Sequence, residues 1–112
     1  MKIAFTAQGP SWNDPIDPRF GRAQYLLIYD EEKDKLTVID NTAINQVAHG
    51  AGPETARKLF QVNPNILITG NGPGGNAARV LENAQISVFI GAGSLTVEQA
   101  YQKYKNNELE KL

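Results

Sequence analysis

The sequence predicts one α/β domain in which a mixed five-stranded sheet has helices on its faces. In the second half of the chain, short apolar segments alternate with amphipathic ones, which favours parallel strands with right-handed crossovers. In the first half, two strand-like segments flank a polar stretch and predict a hairpin that adds one antiparallel strand. The expected strand order is 3-2-1-4-5, with about three helices, and the expected domain covers residues 1–105. Residues 106–112 are a polar tail that is expected to fray.

Three strands and two long loops are predicted in the first half. Residues 2–7 (KIAFTA) are apolar and end before a Gly-Pro pair, and residues 25–30 and 36–40 form the two arms of the hairpin. Residues 8–22 and 41–52 show no helical or strand period and are expected to be loops. Long ordered loops in small domains tend to be functional.

The first helix of the second half is expected to begin at Pro53, because proline suits the first turn of a helix. Ala56, Leu59 and Phe60 form an apolar stripe at helical spacing, so the helix is predicted to reach about Val62 with this stripe facing the core.

The remaining elements follow in alternation. Buried strands are predicted at residues 66–69 (ILIT) and 87–90 (SVFI), and a helix is expected between them after the glycine-rich residues 70–75. Thr96 and Gln99 have the spacing of a capping box and predict the start of the last helix.

Composition narrows the classes of function. The net charge is −1 and the pI about 5.8, whereas a general nucleic-acid binder usually carries a basic excess. The chain has no cysteine, which excludes disulfides, thiolate metal sites and a cysteine nucleophile. No apolar run has the length of a membrane span or of a signal peptide, so a cytoplasmic location is expected.

A nucleotide cofactor is not expected. Gly70, Gly72 and Gly75 match the G-x-G-x-x-G pattern where a strand leads into a helix, but a dinucleotide site also needs an acidic residue at the end of the next strand. That strand ends FIGAG, and the phosphate-loop pattern G-x-x-x-x-G-K-[ST] does not occur.

Three glycine loops nevertheless favour an anion site. Residues 50–53, 70–75 and 91–94 precede predicted helices, and exposed N–H groups at helix starts bind anions. Loops at the carboxyl ends of parallel strands also share one edge of the sheet, where ligands bind in open α/β folds. The alternative is that these glycines only supply positive φ angles for tight turns.

The segment HGAGPETARKL (49–59) recurs 22 residues later as NGPGGNAARVL, with Asn71 in the place of His49. His49 is the only histidine and precedes a helix start, so it could ligate a metal or donate to an anion; a surface or supporting role is the alternative. Since no second histidine or any cysteine exists to complete a zinc site, a metal bound here must bring most of its own ligands.

Two arginines lie in the segment DPIDPRFGR (14–22). Arg19 and Arg22 could clamp an oxyanion or a thioanion, because guanidinium groups are planar multiple donors. Alternatively, either arginine could pair with Asp14 or Asp17, which as Asp-Pro steps are expected to form turns.

The aromatic residues are assigned structural roles. Trp12 is expected to cover the sheet more than to stack on a ligand, and the tyrosines are expected at the rim of the core: Tyr25, Tyr29, Tyr101 and Tyr104.

Catalysis is not expected. The predicted strand order is that of a ribonuclease H-like sheet, but nucleases of that type need a carboxylate on the first strand to hold metal ions, and KIAFTA has none. A G-x-S-x-G nucleophile motif is also missing from the sequence.

Four segments in fixed order resemble one family. They are RFGRA followed by a strand ending IYD, the HGAG loop, ILITGNGPGGNAARVL, and IGAGSLTVEQAYQKY. Over nearly its whole length the chain is similar to the dinitrogenase iron–molybdenum cofactor biosynthesis domain family, the group that contains NifX, NafY, the C-terminal part of NifB and small members such as the molybdenum–copper orange protein.

The resemblance implies a ribonuclease H-like three-layer fold and a non-enzymatic role in binding, carrying or storing an anionic metal–sulfur cluster of Fe-Mo-S or Mo-Cu-S type. Cluster-donor or acceptor proteins are possible partners, whereas nucleic acid and membrane are not expected. The residues expected to hold the cluster supply charge, backbone N–H groups or an imidazole: Arg19, Arg22, His49, Gly50, Gly52, Gly70, Gly72, Pro73 and Gly74. A protein-binding adaptor with the same fold is the alternative, and an enzyme acting on a small phosphorylated ligand is a weaker one.

Overall fold

The computed structural model describes residues 1–45 and 51–112, and a six-stranded sheet forms the centre of that part of the chain. The strands are β1 (Lys2–Ala7), β2 (Tyr25–Asp30), β3 (Lys35–Asp40), β4 (Ile66–Ile68), β5 (Ser87–Ile90) and β6 (Glu110–Lys111). The helices are α1 (Thr42–Asn45), α2 (Ala51–Val62), α3 (Gly75–Asn83) and α4 (Val97–Lys105). None of the helices described is long and apolar enough to cross a membrane.

The sheet confirms the expected order and extends it by one strand, to β3-β2-β1-β4-β5-β6. β1, β4 and β5 are parallel, so their carboxyl ends share one edge, and β2 runs antiparallel to both β1 and β3. The tail does not fray as expected, because β6 pairs antiparallel with β5 and the Leu112 N–H donates to the Val88 carbonyl at 2.8 Å. The free edge of β5 supplies the pairing groups that a two-residue polar strand needs.

Two apolar layers lie on opposite faces of the sheet, as the three-layer prediction requires. Leu59 of α2 and Leu81 of α3 pack on the face that carries Ala4, and Val97 of α4 packs on the face that carries Phe5. Neighbouring residues of β1 therefore serve different layers, as the alternation of side chains along a strand dictates. Burial of one leucine side chain stabilises the fold by about 1.5–3 kcal/mol.

The apolar stripe of α2 differs from the prediction at one position. Ala56 and Leu59 are fully buried, whereas Phe60 is 57% exposed. The inward face is centred on the buried Thr55, Ala56 and Leu59, and at 100° per residue Phe60 points away from that centre. Thr55 takes the inward position because its hydroxyl is bonded to the buried Asn41 amide at 3.2 Å.

Candidate functional site

The loops that follow β1, β4 and β5 meet at the carboxyl edge of the parallel strands. The Asn71 N–H donates to the Pro18 carbonyl at 2.8 Å, and the Gly91 N–H donates to the Gly70 carbonyl at 3.0 Å. A Cβ atom on Gly70 would lie 2.6 Å from Pro18 Cα and 3.0 Å from Gly93 Cα. Gly70 is therefore required by the close approach of three backbones. We refer to this place as the glycine edge.

A buried hydroxyl pair fastens the loop after β1 to the strand ends. Thr6 Oγ1 and Thr69 Oγ1 lie 2.7 Å apart, and Thr6 Oγ1 also donates to the Asp17 carbonyl at 2.8 Å. Because a hydroxyl has one proton and a carbonyl can only accept, Thr69 must be the donor between the two threonines. The Asp17 N–H in turn donates to the Thr6 carbonyl at 2.9 Å. Both the N–H and the carbonyl of Asp17, two residues before Arg19, are therefore bonded to Thr6.

Arg19 is paired with the carboxylate of Asp17. Arg19 Nε donates to Oδ1 and Nη2 donates to Oδ2, both at 3.2 Å, while the Arg19 backbone N–H donates to Oδ1 at 3.0 Å. The Asp17 side chain is fully buried and that of Arg19 is 56% exposed. The hydrogen bond to Asp17 raises the pKa of Arg19 above its ordinary value. The guanidinium has five N–H groups, so three remain that Asp17 does not engage.

Asp14 has the turn role that the sequence predicted for it. Its Oδ2 accepts hydrogen bonds from the backbone N–H and the hydroxyl of Ser11, at 2.9 and 3.0 Å. It is therefore Asp17, rather than Asp14, that realises the predicted alternative of an Asp–Arg pair.

Arg22 is half-buried in a segment that two side chains fasten. Thr55 Oγ1 donates to the Gly21 carbonyl at 3.2 Å, and Asn41 Nδ2 donates to the Ala23 carbonyl at 2.9 Å. Those bonds set the orientation of the Asn41 amide, because a carbonyl can only accept. Asn41 Oδ1, although buried, has no hydrogen-bond partner among residues 1–45 and 51–112.

The start of α3 offers backbone donors at the same edge. Gly74 caps the helix in an extended conformation, and the first intrahelical bond runs from the Ala78 N–H to the Gly74 carbonyl at 2.8 Å. The N–H groups of Gly75, Asn76 and Ala77 precede that bond and have no acceptor within the helix. Apart from the adjacent residues and the backbone of the helix itself, no atom of the described part of the chain lies within 4 Å of a Cβ built on Gly74 or Gly75, so a ligand has room to approach there.

Two other predicted glycines flank this helix start. A Cβ on Gly52 would lie 3.4 Å from Ala77 Cβ, which places the beginning of α2 beside the beginning of α3. A Cβ on Gly72 would lie 3.4 Å from the Leu112 side chain, so the residue after β6 packs beside the loop. Pro73 is half-buried between Gly72 and the cap of α3.

The family model described as dinitrogenase iron-molybdenum cofactor matches residues 1–107. The chain belongs to this family. It is similar to the apo form of the orange protein from Desulfovibrio gigas, with 34% identity, a TM-score of 0.93 and coverage of 99% of this chain and 92% of that one. It is also similar to a putative NifB protein from Thermotoga, with 33% identity, a TM-score of 0.85 and the same two coverages. No curated protein matches the chain significantly.

In this member of the iron–molybdenum cofactor family, the third glycine loop, residues 91–94, does not provide the free backbone donors that the sequence predicted for an anion site. The Val97 and Glu98 N–H groups donate to the carbonyls of Asp14 and Trp12 at 2.9 and 3.0 Å, and the Gln99 N–H donates to the hydroxyl of Thr96. The donors at the start of α4 are therefore already used. Gly91 has a φ of 92°, which supports the turn-forming alternative for this loop.

The predicted metal ligand His49 and the neighbouring Gly50 lie outside the described residues, so their roles remain predictions. Within the described ranges, no group of three or more His, Cys, Asp or Glu side chains could hold a metal ion.

Sequence reasoning missed three polar residues that shape the glycine edge: Thr6, Thr69 and Asn41, all fully buried. A weak signal existed for two of them, because Thr6 interrupts an apolar strand and Thr69 closes another. Buried polar side chains need partners, and at the ends of neighbouring parallel strands those partners lie close together.

Proposed function

We propose that the chain binds and carries an anionic metal–sulfur cluster of Fe-Mo-S or Mo-Cu-S type at the glycine edge. The observation that carries the proposal is the open start of α3 next to the segment that contains Pro18 and Arg19. A hydrogen bond from the Asn71 N–H to the Pro18 carbonyl joins that segment to the loop before α3. Membership of the iron–molybdenum cofactor family supports this class of cargo, and the described orange protein and NifB structures support the fold that presents it.

The proposed chemistry of binding is hydrogen bonding to sulfide. A thiometallate cluster carries negative charge on its outer sulfurs, and backbone N–H groups at a helix start favour an anion in that position. Gly74 and Gly75 let the cluster approach those groups, since a side chain there would stand in the open space. Arg19 adds N–H donors, although its pairing with Asp17 makes the two residues together neutral.

The proposed roles of the other predicted residues follow from this. Arg22 adds charge from the segment fastened by Asn41 and Thr55, and the loop containing Gly52, Gly72 and Pro73 supplies shape. His49 is proposed as a ligand or hydrogen-bond donor, because imidazole can do both. The role is that of a carrier that passes the cluster between donor and acceptor proteins, without a chemical step of its own.

The proposal is tested by reconstitution. We expect the full-length apo-protein, mixed with tetrathiomolybdate and Cu(I) under argon and then desalted, to retain colour and to hold molybdenum and copper in a fixed ratio to chain. An iron–molybdenum–sulfur cluster is tested in the same way. If the folded protein leaves the column free of metal in both experiments, the carrier role is wrong.

A His49→Ala variant in the same assay separates the histidine role from the carrier role. Loss of bound metal would support ligation or hydrogen bonding by His49. An unchanged metal content would remove the histidine role and leave the glycine edge as the site.

A further inference from the structure

A cleft lined by aromatic and acidic side chains lies on the α4 face of the sheet, and the proposed cluster site does not use it. Its walls are formed by Trp12, Tyr29 and Tyr101, with the exposed Asp34 and Glu98 at the rim and the amides of Asn13 and Gln102 beside them, and the open cleft has a volume of about 390 Å³. The ring centroids of Trp12 and Tyr29 lie 4.9 Å apart, and those of Trp12 and Tyr101 lie 5.8 Å apart. We call this the aromatic cleft.

The aromatic cleft is held in shape by hydrogen bonds on both sides. On one side, the Glu98 N–H donates to the Trp12 carbonyl at 3.0 Å, so the loop that carries the indole is fastened to the first turn of α4. On the other side, the Tyr29 hydroxyl donates to Asp34 Oδ1 at 2.6 Å, which leaves the second carboxylate oxygen of Asp34 outside that bond. A ligand would therefore meet a preformed surface, which lowers the entropy lost on binding.

The chemistry of the aromatic cleft suits a cation. Its two titratable rim groups, Asp34 and Glu98, are both acidic, and aromatic faces attract cations. One of its aromatic rings already contacts a cation of the chain itself. Lys105 Nζ lies 5.9 Å from the centroid of the Tyr101 ring and 3.1 Å from the Glu31 carboxylate. The Lys105–Glu31 pair is not among the residues that line the cleft.

We propose that the aromatic cleft binds an arginine side chain of a partner protein. A guanidinium group stacks on aromatic rings and pairs with carboxylates at the same time, and it is less strongly hydrated than an ammonium group. Tyr29 lies opposite Ile3 near the start of β1, whereas the glycine edge lies where β1 ends. The Tyr29 side of the aromatic cleft thus lies away from the glycine edge, whereas Trp12 belongs to the loop after β1. The inference depends on contacts of the α4 face and not on the proposed cluster site.

The test uses the Trp12 indole N–H, because the chain contains one tryptophan. The ¹⁵N-labelled full chain is titrated with the peptide acetyl-Gly-Arg-Gly-amide at constant ionic strength, and with the same peptide carrying uncharged citrulline in place of arginine. We expect a saturable shift of the indole signal with the arginine peptide, and binding weaker by about fivefold or more with the citrulline peptide.

Two substitutions connect the binding to the rim carboxylates. The double variant Asp34→Asn/Glu98→Gln keeps the shapes of both side chains, and asparagine tolerates the positive φ of 49° at position 34. It should bind the arginine peptide about fivefold or more weakly, whereas Glu82→Gln on α3, which packs on the opposite face of the sheet, should leave the binding unchanged. Equal shifts with the two peptides, or undiminished binding by the double variant, would overturn the proposal.

Discussion

Arg19 and Asp17 form a bidentate pair in which the carboxylate is fully buried and the guanidinium is half in solvent. The two partners are therefore not equivalent. Removal of the arginine leaves a charged group buried with fewer donors, whereas removal of the carboxylate leaves a cation that water can still solvate.

The asymmetry predicts a rescue. Arg19→Ala should lower the free energy of unfolding by about 1–2 kcal/mol, a figure reduced by the solvent exposure of the arginine. Adding Asp17→Asn should restore part of the loss, because a neutral amide costs less to bury than a carboxylate. Urea unfolding of the wild type, the single variants and the double variant measures this. A double variant less stable than Arg19→Ala alone would contradict the account.

The start of α3 allows the charge of the proposed ligand to be tested with little change in the helix. Gly74 has the extended conformation of a cap residue and open space at its Cβ, so aspartate and asparagine can both replace it as caps. Gly74→Asp should weaken binding of a thiomolybdate cluster by about tenfold or more, since it places a negative charge next to the anion. Gly74→Asn, which has the same shape without the charge, is the control and should bind more tightly than the aspartate variant.

The measurement for the Gly74 variants is the metal retained per chain after desalting over a range of cluster concentrations. Thermal unfolding should show both variants as stable as the wild type or slightly more stable, because each adds a capping side chain. Retention by both variants equal to that of the wild type would show that the start of α3 is not where the anion binds.

Gly70 is predicted to be important for the stability of the fold. A Cβ at this position would lie 2.6 Å from the backbone of Pro18, and neither backbone can move freely because the Asn71 N–H is bonded to the Pro18 carbonyl. Gly70→Ala should therefore cost about 1–3 kcal/mol of stability, measured by urea unfolding. Gly75→Ala, in open space in the first turn of α3, should be neutral or slightly stabilising. A similar loss in both variants would contradict the close-approach explanation.

Glu31 is predicted to make stability depend on acid pH. The hydrogen bond from the Tyr101 hydroxyl, 2.5 Å long, and the neighbouring Lys105 lower the pKa of this carboxyl below its ordinary value of 4.5. A lowered pKa means that the contribution is fully present above the unfolded-state value and is lost as the pH falls below it. The wild type should exceed Glu31→Gln in unfolding free energy by about 1 kcal/mol near neutral pH, and by less near pH 3. A difference that does not change with pH would contradict the prediction.

Much of the fold could be predicted because its signals are local. Alternating apolar segments and helical stripes fix where strands and helices form, and the rules for crossovers leave few possible sheets, so the order from β3 to β5 was predicted correctly. The capping box of Thr96 and Gln99 is likewise a local pattern, and both of its hydrogen bonds are present.

Other features depend on groups that are distant in sequence. β6 is a polar dipeptide that forms a strand because it pairs with the free edge of β5. Phe60 is exposed because Thr55, which is bonded to Asn41, lies on the inward face of α2. A helical stripe alone does not show which neighbouring position the tertiary contact will select.

The sequence by itself determined the α/β class, the strand order from β3 to β5 and the glycine loops at the carboxyl edge, because these follow from local periodicity and connection rules. Only the tertiary structure decided which backbone groups of the described loops are already engaged. Gly70 allows the close approach of Pro18, the N–H groups at the start of α4 donate to Asp14 and Trp12, and the start of α3 is open as far as residues 1–45 and 51–112 show. The physical reason is that a backbone N–H is the same group in every glycine loop, and its availability depends on which distant carbonyl the fold brings to it.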